Sequence, residues 1–255
     1  MGKVRCEYNW RGTGWQVFYD ATTLETLHII GPLKAVDDDF AAAFLKKYTA
    51  TENTTSAWNT VETNLNTAIG LVADGVNGIA ALIVDADDNA EVAVLHFGDN
   101  ECLEIAQGLL FEARVTFNVL PTTGTETVQA AFGLAGAHNT TLDTVDCNAW
   151  FRVESAAQTA LLWETDDNVT NDDDNDAGIT LVADTYNIFQ IHCVSTSQID
   201  FYVDGEKVGT GSMAGLTAAI GRVQPYFNVS KAKSAANTGT GTMYIDYVRV
   251  WQNRS

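Results

Sequence analysis

Apolar and polar residues alternate along much of this chain with the two-residue period of a β-strand rather than the 3.6-residue period of a helix. The alternation is cleanest at 110–117 (LFEARVTF), where Phe111, Ala113, Val115 and Phe117 share one face and Glu112, Arg114 and Thr116 the other. That pattern predicts a half-buried strand. From Trp58 onward, runs rich in Val, Ile, Phe, Thr and Tyr are separated by Gly, Asn and Asp clusters. They predict strands at 79–84, 91–97, 109–119, 127–134, 149–154, 160–164, 187–195, 199–203, 223–229 and 242–252, a spacing typical of sandwiches. Asp204-Gly205 inside FYVDGEKV is a two-residue hairpin turn signal.

The beginning of the chain reads differently. Residues 1–35 form an N-terminal arm or small β extension ahead of a sandwich over 36–255. The arm carries Tyr8, Trp10 and Trp15, which either anchor a partner surface or fold back onto the body, since aromatics bury large areas at low entropic cost. Asp37, Asp38 and Asp39 then lead into AAAFLKKYT, predicting at most one short helix or turn with 41–47 as its body and the aspartates near its positive end.

Composition narrows the function classes. With 46% hydrophobic and 18% charged residues over 255 positions, the chain can bury one large core. A net charge of −19 disfavours nucleic acid and anionic lipid as partners. The first residues, MGKVRCEYNW, hold no apolar run and no stretch of about 18 apolar residues follows, so a soluble chain made in the cytoplasm is expected. Cys6, Cys102, Cys147 and Cys193 are far apart and predict reduced core thiols rather than a zinc ribbon, and four dispersed histidines argue against a histidine metal site.

Two acidic clusters invite a cation. Asp85, Asp87, Asn89 and Glu91 place oxygens at alternate positions, as a calcium loop does, between the apolar runs IAALIV and VAVLHF; a polar hairpin tip is the favoured reading. Asp172, Asp174 and Asp176 match the first ligand positions of an EF-hand loop, but Ala177 stands where glycine is required and Ala183 where the bidentate glutamate belongs. A solvated surface loop is favoured over bound calcium, and no cofactor is expected.

The order LFEARVTF, NAWFRVE, YNIFQIHCV, FYVDGEKV and TMYIDYVRVWQ resembles the concanavalin A-like lectin and glucanase superfamily, with its laminin-G-like members, in which a YVDG hairpin and a closing iDyvrvw strand recur. The resemblance covers roughly residues 37–252 and implies an all-β, concanavalin A-like jelly-roll sandwich of two antiparallel sheets. The acidic, Ala- and Thr-rich body also resembles lectin-fold structural proteins of tailed bacteriophages.

In the glucanases of that superfamily, one strand carries an ExDxE-type motif whose paired carboxylates attack and protonate the sugar. The counterpart strand here, NAWFRVE, holds Glu154 alone. Glu164 in LLWETDD joins it only if the two strands pair, and both acids are expected at strand ends facing solvent. The expectation is therefore a chain without catalytic residues, not an enzyme. The preferred reading is a bacteriophage virion protein, a capsid decoration or cement subunit that docks on the major capsid protein, forms homo-oligomers and reaches the virion after assembly in the host cytoplasm. The alternative is a carbohydrate-binding module presenting Trp150 and Trp163 to sugar rings, against the ordinary use of large aromatics in a sandwich core.

Overall fold

The structure, a computed structural model, describes residues 58–63, 69–72, 78–87, 89–121, 128–154, 159–216, 221–232 and 239–252, and in addition the backbone of five N-terminal strands, Ala68 and Asn253. β1 (Val4–Tyr8), β2 (Gln16–Asp20) and β3 (Thr26–Ile30) form an antiparallel three-stranded sheet. Tyr8 ends β1; Trp10 and Trp15 lie outside the described residues. β4 (Leu33–Asp38) pairs with the closing strand, Leu33 opposite Asn253 and Asp38 opposite Val248. The helix predicted at 41–47 gives way where it is described: Lys46–Lys47 is a short strand, β5, lying parallel to Asn59 and Thr60. Sheet pairing there overrides the helical preference of the two lysines, and residues 39–45 lie outside the described part.

Two sheets, antiparallel except at β5, carry the rest. The first runs β15-β14-β13-β12-β19-β9-β6-β5, with β10 (Leu103–Glu104) beside β19. Its strands are β6 (Asn59–Glu62), β9 (Glu91–His96), β12 (Val128–Ala135), β13 (Asn148–Glu154), β14 (Ala160–Asp166), β15 (Asn171–Thr180) and β19 (Arg222–Lys231). The second runs β18-β17-β16-β11-β20-β8-β7, with β4 also on β20. It is built from β7 (Ala68–Leu71), β8 (Ala80–Val84), β11 (Leu109–Val119), β16 (Asn187–Ser195), β17 (Gln198–Val203), β18 (Glu206–Gly211) and β20 (Gly241–Asn253). The chain is thus the predicted all-β jelly-roll sandwich, and the strand expected to close it sits inside a sheet, paired with both β11 and β8.

The core lies between the sheets. Phe132 of β12 meets Phe189 of β16 edge-on at 4.8 Å, and Phe151 of β13 meets Phe201 of β17 at 5.4 Å. Phe111, Ala113, Val115 and Phe117 face this core as their alternation predicts. The opposite face of β11 is less wet than expected. Glu112 is buried and accepts a hydrogen bond from Gln190 Nε2 at 2.5 Å. The turn Asp204-Gly205 has φ of 48° and 81°, the left-handed pair a tight hairpin needs, and the Asp204 carboxylate accepts the Ile188 N–H at 2.8 Å.

Two local expectations change. Asp85 to Ala90 is not a hairpin tip: β8 belongs to the eight-stranded path and β9 to the other sheet, so this segment is a corner that carries the chain across the sandwich. The acidic run at 171–180 is not a loop but the edge strand β15, with Asn171 opposite Asp166 and Asp176 opposite Leu162. Pairing with β14 overrides the poor strand propensity of Asp and Asn, and charge on an edge discourages pairing with another chain.

Candidate functional site on the outer face of the nine-stranded sheet

Alternation along β13 puts Ala149, Phe151 and Val153 in the core, and so turns Asn148, Trp150, Arg152 and Glu154 to the outer face. β14 lies beside it with Trp150 opposite Glu164, which brings Glu164 to that same face. The two strands do pair. Instead of meeting solvent at a strand end, Glu164 is only 2% exposed.

Arg152 holds the centre. Its guanidinium lies 2.5 Å from Glu154 Oε1, 2.8 Å from Asp143 Oδ1 and 3.1 Å from Glu164 Oε1, and it donates to Gln129 Oε1 at 2.7 Å. The Trp150 indole N–H donates to Glu164 Oε2 at 2.6 Å. Burial works against the Arg152 charge, but Glu164, Glu154 and Asp143 outweigh it and hold the guanidinium protonated. Burial pushes the Glu164 carboxyl up to about 7, although Arg152 and the Trp150 N–H pull it down; Asp173 and Asp174 add to the rise. A carboxyl in that range carries a proton that it can give up near neutral pH.

The same face continues across β19 and β9. Tyr226 is fully buried, and its hydroxyl lies 3.0 Å from His138 Nδ1 and 3.4 Å from Asn228 Nδ2. His96 packs against both rings, 5.6 Å from His138 and 6.3 Å from Tyr226 between centroids. Burial and the neighbouring His96 lower His138 to about 4, so it is neutral at physiological pH. Asp99 accepts the His138 backbone N–H at 2.8 Å. Burial would raise its carboxyl, but contacts with His96, that N–H and Gln224 hold it at about 2. Four buried polar atoms in this region have no hydrogen-bond partner: Arg152 Nε, His138 Nε2, Asn148 Oδ1 and Asn228 Oδ1. Buried polar groups are usually hydrogen-bonded, to protein or to ordered water.

The other residues singled out in sequence fall elsewhere. Trp163 shares the β14 parity of Leu161 and stacks on Phe201 at 5.1 Å in the core, so its ring offers no free face to a sugar. Trp150 is on the outer face but only 1% exposed, packed against Tyr226, with Leu142 and Val145 in the same apolar cluster. Asp172, Asp174 and Asp176 do not converge. Asp172 bonds Asn175, and Asp176 bonds the Gly178 N–H. Among the described residues, acidic oxygens gather within 4.8 Å of one another at Asp85, Asp87 and Glu91. Cys147 and Cys193 are buried thiols, the former pushed up to about 12 by burial, whereas Cys102 is exposed rather than in the core. Scattered in sequence, His96 and His138 come together in space, which no local spacing signalled.

No family model matches the chain, and no curated protein matches it in sequence. Solved structures match it in shape. A protein of unknown function from Shewanella oneidensis MR-1 is similar at 11% identity with a TM-score of 0.57, over 92% of this chain and 93% of that one. An endo-β-1,4-glucuronan lyase from the fungus Trichoderma reesei is similar at 10% identity and a TM-score of 0.54, over 86% and 95%. A carbohydrate esterase from the Shiga toxin-encoding bacteriophage phi24B is similar at 13% identity and a TM-score of 0.47, over 78% and 91%. The chain has a jelly-roll fold that carbohydrate-active enzymes use. The expectation of a non-enzymatic chain is corrected accordingly. It rested on Glu154 standing alone on its strand and on Glu164 facing solvent at a strand end, whereas the two strands pair and Glu164 is buried on the same face as Glu154.

Proposed function

We propose that this chain acts on a polysaccharide at the outer face of the nine-stranded sheet, with Glu164 as proton donor to a glycosidic oxygen and Glu154 as the second carboxylate. The observation that carries the reading is one guanidinium, Arg152, flanked by two glutamates, of which Glu164 sits in surroundings that hold its proton near pH 7. Two carboxyls with one pKa displaced upward are the usual division of labour in sugar hydrolysis. The fold, shared with a glucuronan lyase, supports a carbohydrate substrate.

The test is a panel of β-glucans and polyuronates, read for new reducing ends and for unsaturated uronate. Turnover on one member, lost about 100-fold or more in Glu164→Gln with the fold intact, is expected for a general acid. No product from any member at high protein concentration sinks the reading. Binding without cleavage is the second reading, favoured by the burial of Glu164. It predicts retention on a polysaccharide column with no product, weakened in Glu154→Ala, whose side chain is 21% exposed on this face. Placement on a phage particle, docked on the major capsid protein, rests on the resemblance of the acidic body. Absence of the chain from the mass spectrum of purified particles would end it.

A further inference from the structure

We infer that the corner joining β8 to β9 is a cation-binding loop that the chain fills with its own Lys231 ammonium group, so that a divalent ion is excluded while the lysine is in place. This inference is independent of the polysaccharide reading.

It begins with parity. On β19, Val223, Phe227 and Val229 face the core, and Lys231 continues that series at the strand's end. On β9, Ala93 and Leu95 face the core, and Glu91 continues theirs directly opposite Lys231. An apolar pair is expected at such positions. Instead both side chains are ionisable and 0% exposed. A buried ammonium needs oxygens around it. The corner supplies them: Lys231 Nζ donates to the Asp85 carbonyl and, at 2.7 Å, to the Asp87 carbonyl, and lies 3.4 Å from Asp87 Oδ1 and 3.5 Å from Glu91 Oε2. Backbone carbonyls and carboxylates at alternate positions converging on one point are the ligand set of a calcium loop.

The loop is braced to hold that shape. Asp85 Oδ1 accepts the Asp87 N–H at 3.0 Å, Asp87 Oδ1 accepts the Asn89 N–H at 2.9 Å, and Glu91 Oε2 accepts the Asp85 N–H at 2.8 Å. Glu91 Oε1 is buried without a hydrogen-bond partner. The acidic group alone would be an unremarkable surface feature. What identifies it as a cation site is the cation already seated in it.

The experiment compares the wild-type chain with Lys231→Ala by thermal melting in EDTA and in calcium. The wild type is expected to melt at the same temperature in both. Lys231→Ala is expected to melt lower in EDTA and to recover roughly 2–8 °C with saturable calcium. A wild-type melt that rises with calcium, or a Lys231→Ala melt that ignores it, overturns the inference. Should Lys231→Ala fail to fold, the intact wild type is treated with an amine acylating reagent. Lys231 is expected to react at least about tenfold more slowly than Lys207, which is 45% exposed, in keeping with reaction only on local opening. Asp87→Asn should close that gap, and equal reactivity in the wild type overturns the inference.

Discussion

Arg152 and Lys231 are both buried cations ringed by carboxylates, yet they stand on opposite faces of one sheet and in different company. Lys231 lies on the core-facing side at the end of the sandwich, a point charge held partly by fixed backbone carbonyls. Arg152 lies on the outer face, held by side chains alone: Glu154, Asp143, Glu164 and Gln129. Two of the oxygens around Lys231 are backbone carbonyls, which cannot exchange protons, whereas every charged partner of Arg152 is a carboxyl, which can. The first arrangement suits a structural joint. The second suits chemistry, because one of its carboxyls, Glu164, is pushed into the titration range of neutral solution.

The largest effect should come from breaking the joint. Lys231→Met leaves buried Glu91 facing Asp85 and Asp87 with no counter-charge, and removing one partner of a buried ionic group costs about 3–5 kcal/mol. Urea denaturation should show a lower midpoint with an unchanged slope. A loss below about 1 kcal/mol would mean that the corner relaxes and lets water in, and the contrast with Arg152 would weaken.

How much of this contrast was readable from sequence depends on range. The sandwich, the hairpin at Asp204-Gly205 and the inward face of β11 follow from period-two alternation and turn chemistry, which are local. The calcium-like spacing Asp85, Asp87, Asn89, Glu91 was visible too, but its occupant comes from Lys231, some 140 positions away, and no local pattern announces it. The outer-face site fails for the same reason. Glu154 and Arg152 were on one strand, but Glu164 enters through strand pairing and His138 through a loop folded over β19. Trp150 and Trp163 stand together in sequence as sugar-facing candidates, although strand parity separates them: Trp150 alternates with core residues, whereas Trp163 shares the parity of Leu161. β15 was misread because its ten residues carry the composition of a loop and acquire strand geometry only from β14.

The next largest effect is a pH dependence. Glu164 has a folded pKa near 7, above its unfolded value of 4.5. The native state therefore binds more protons in that window, and the stabilisation is fully present below pH 4.5 and is lost as pH rises through 7. Its size is on the order of 3 kcal/mol. His138 acts in the opposite sense. Its folded pKa is near 4 against 6.5 unfolded, so its contribution is present above 6.5 and is lost as pH falls through 4. The wild-type curve alone thus hides both. Subtracting the stability of Glu164→Gln from that of wild type at each pH isolates the glutamate, and the difference should fall steadily between pH 4.5 and 7. A flat difference would place the Glu164 carboxyl outside that window.

A smaller steric effect tests the core side of the same strand pair. A Cβ built on Gly209 of β18 would come within 2.3 Å of Trp163 Nε1, so Gly209→Ala must displace an indole packed on Phe201. Overpacking of this kind costs about 1–3 kcal/mol. The denaturation midpoint should drop while polysaccharide turnover per folded molecule stays the same. Lost turnover at full stability would instead tie Trp163 to the outer face.

The finest test is Trp150→Phe, which keeps a ring against Tyr226 but removes the N–H that Glu164 accepts at 2.6 Å. A hydrogen bond to a charged group contributes about 1.5–3 kcal/mol, and here it favours the ionised form of Glu164. Its loss should therefore move the Glu164 titration to higher pH, not lower, and shift the alkaline limb of the stability curve the same way. Turnover should keep its maximum rate on the acid side and extend it upward in pH, because the proton donor stays protonated longer. Lys231 provides the control: its cage is untouched, so amine reactivity at Lys231 should not change. If Trp150→Phe moved the limb downward, the indole N–H would not be what stabilises the Glu164 carboxylate, and the cause assigned to that titration would have to change.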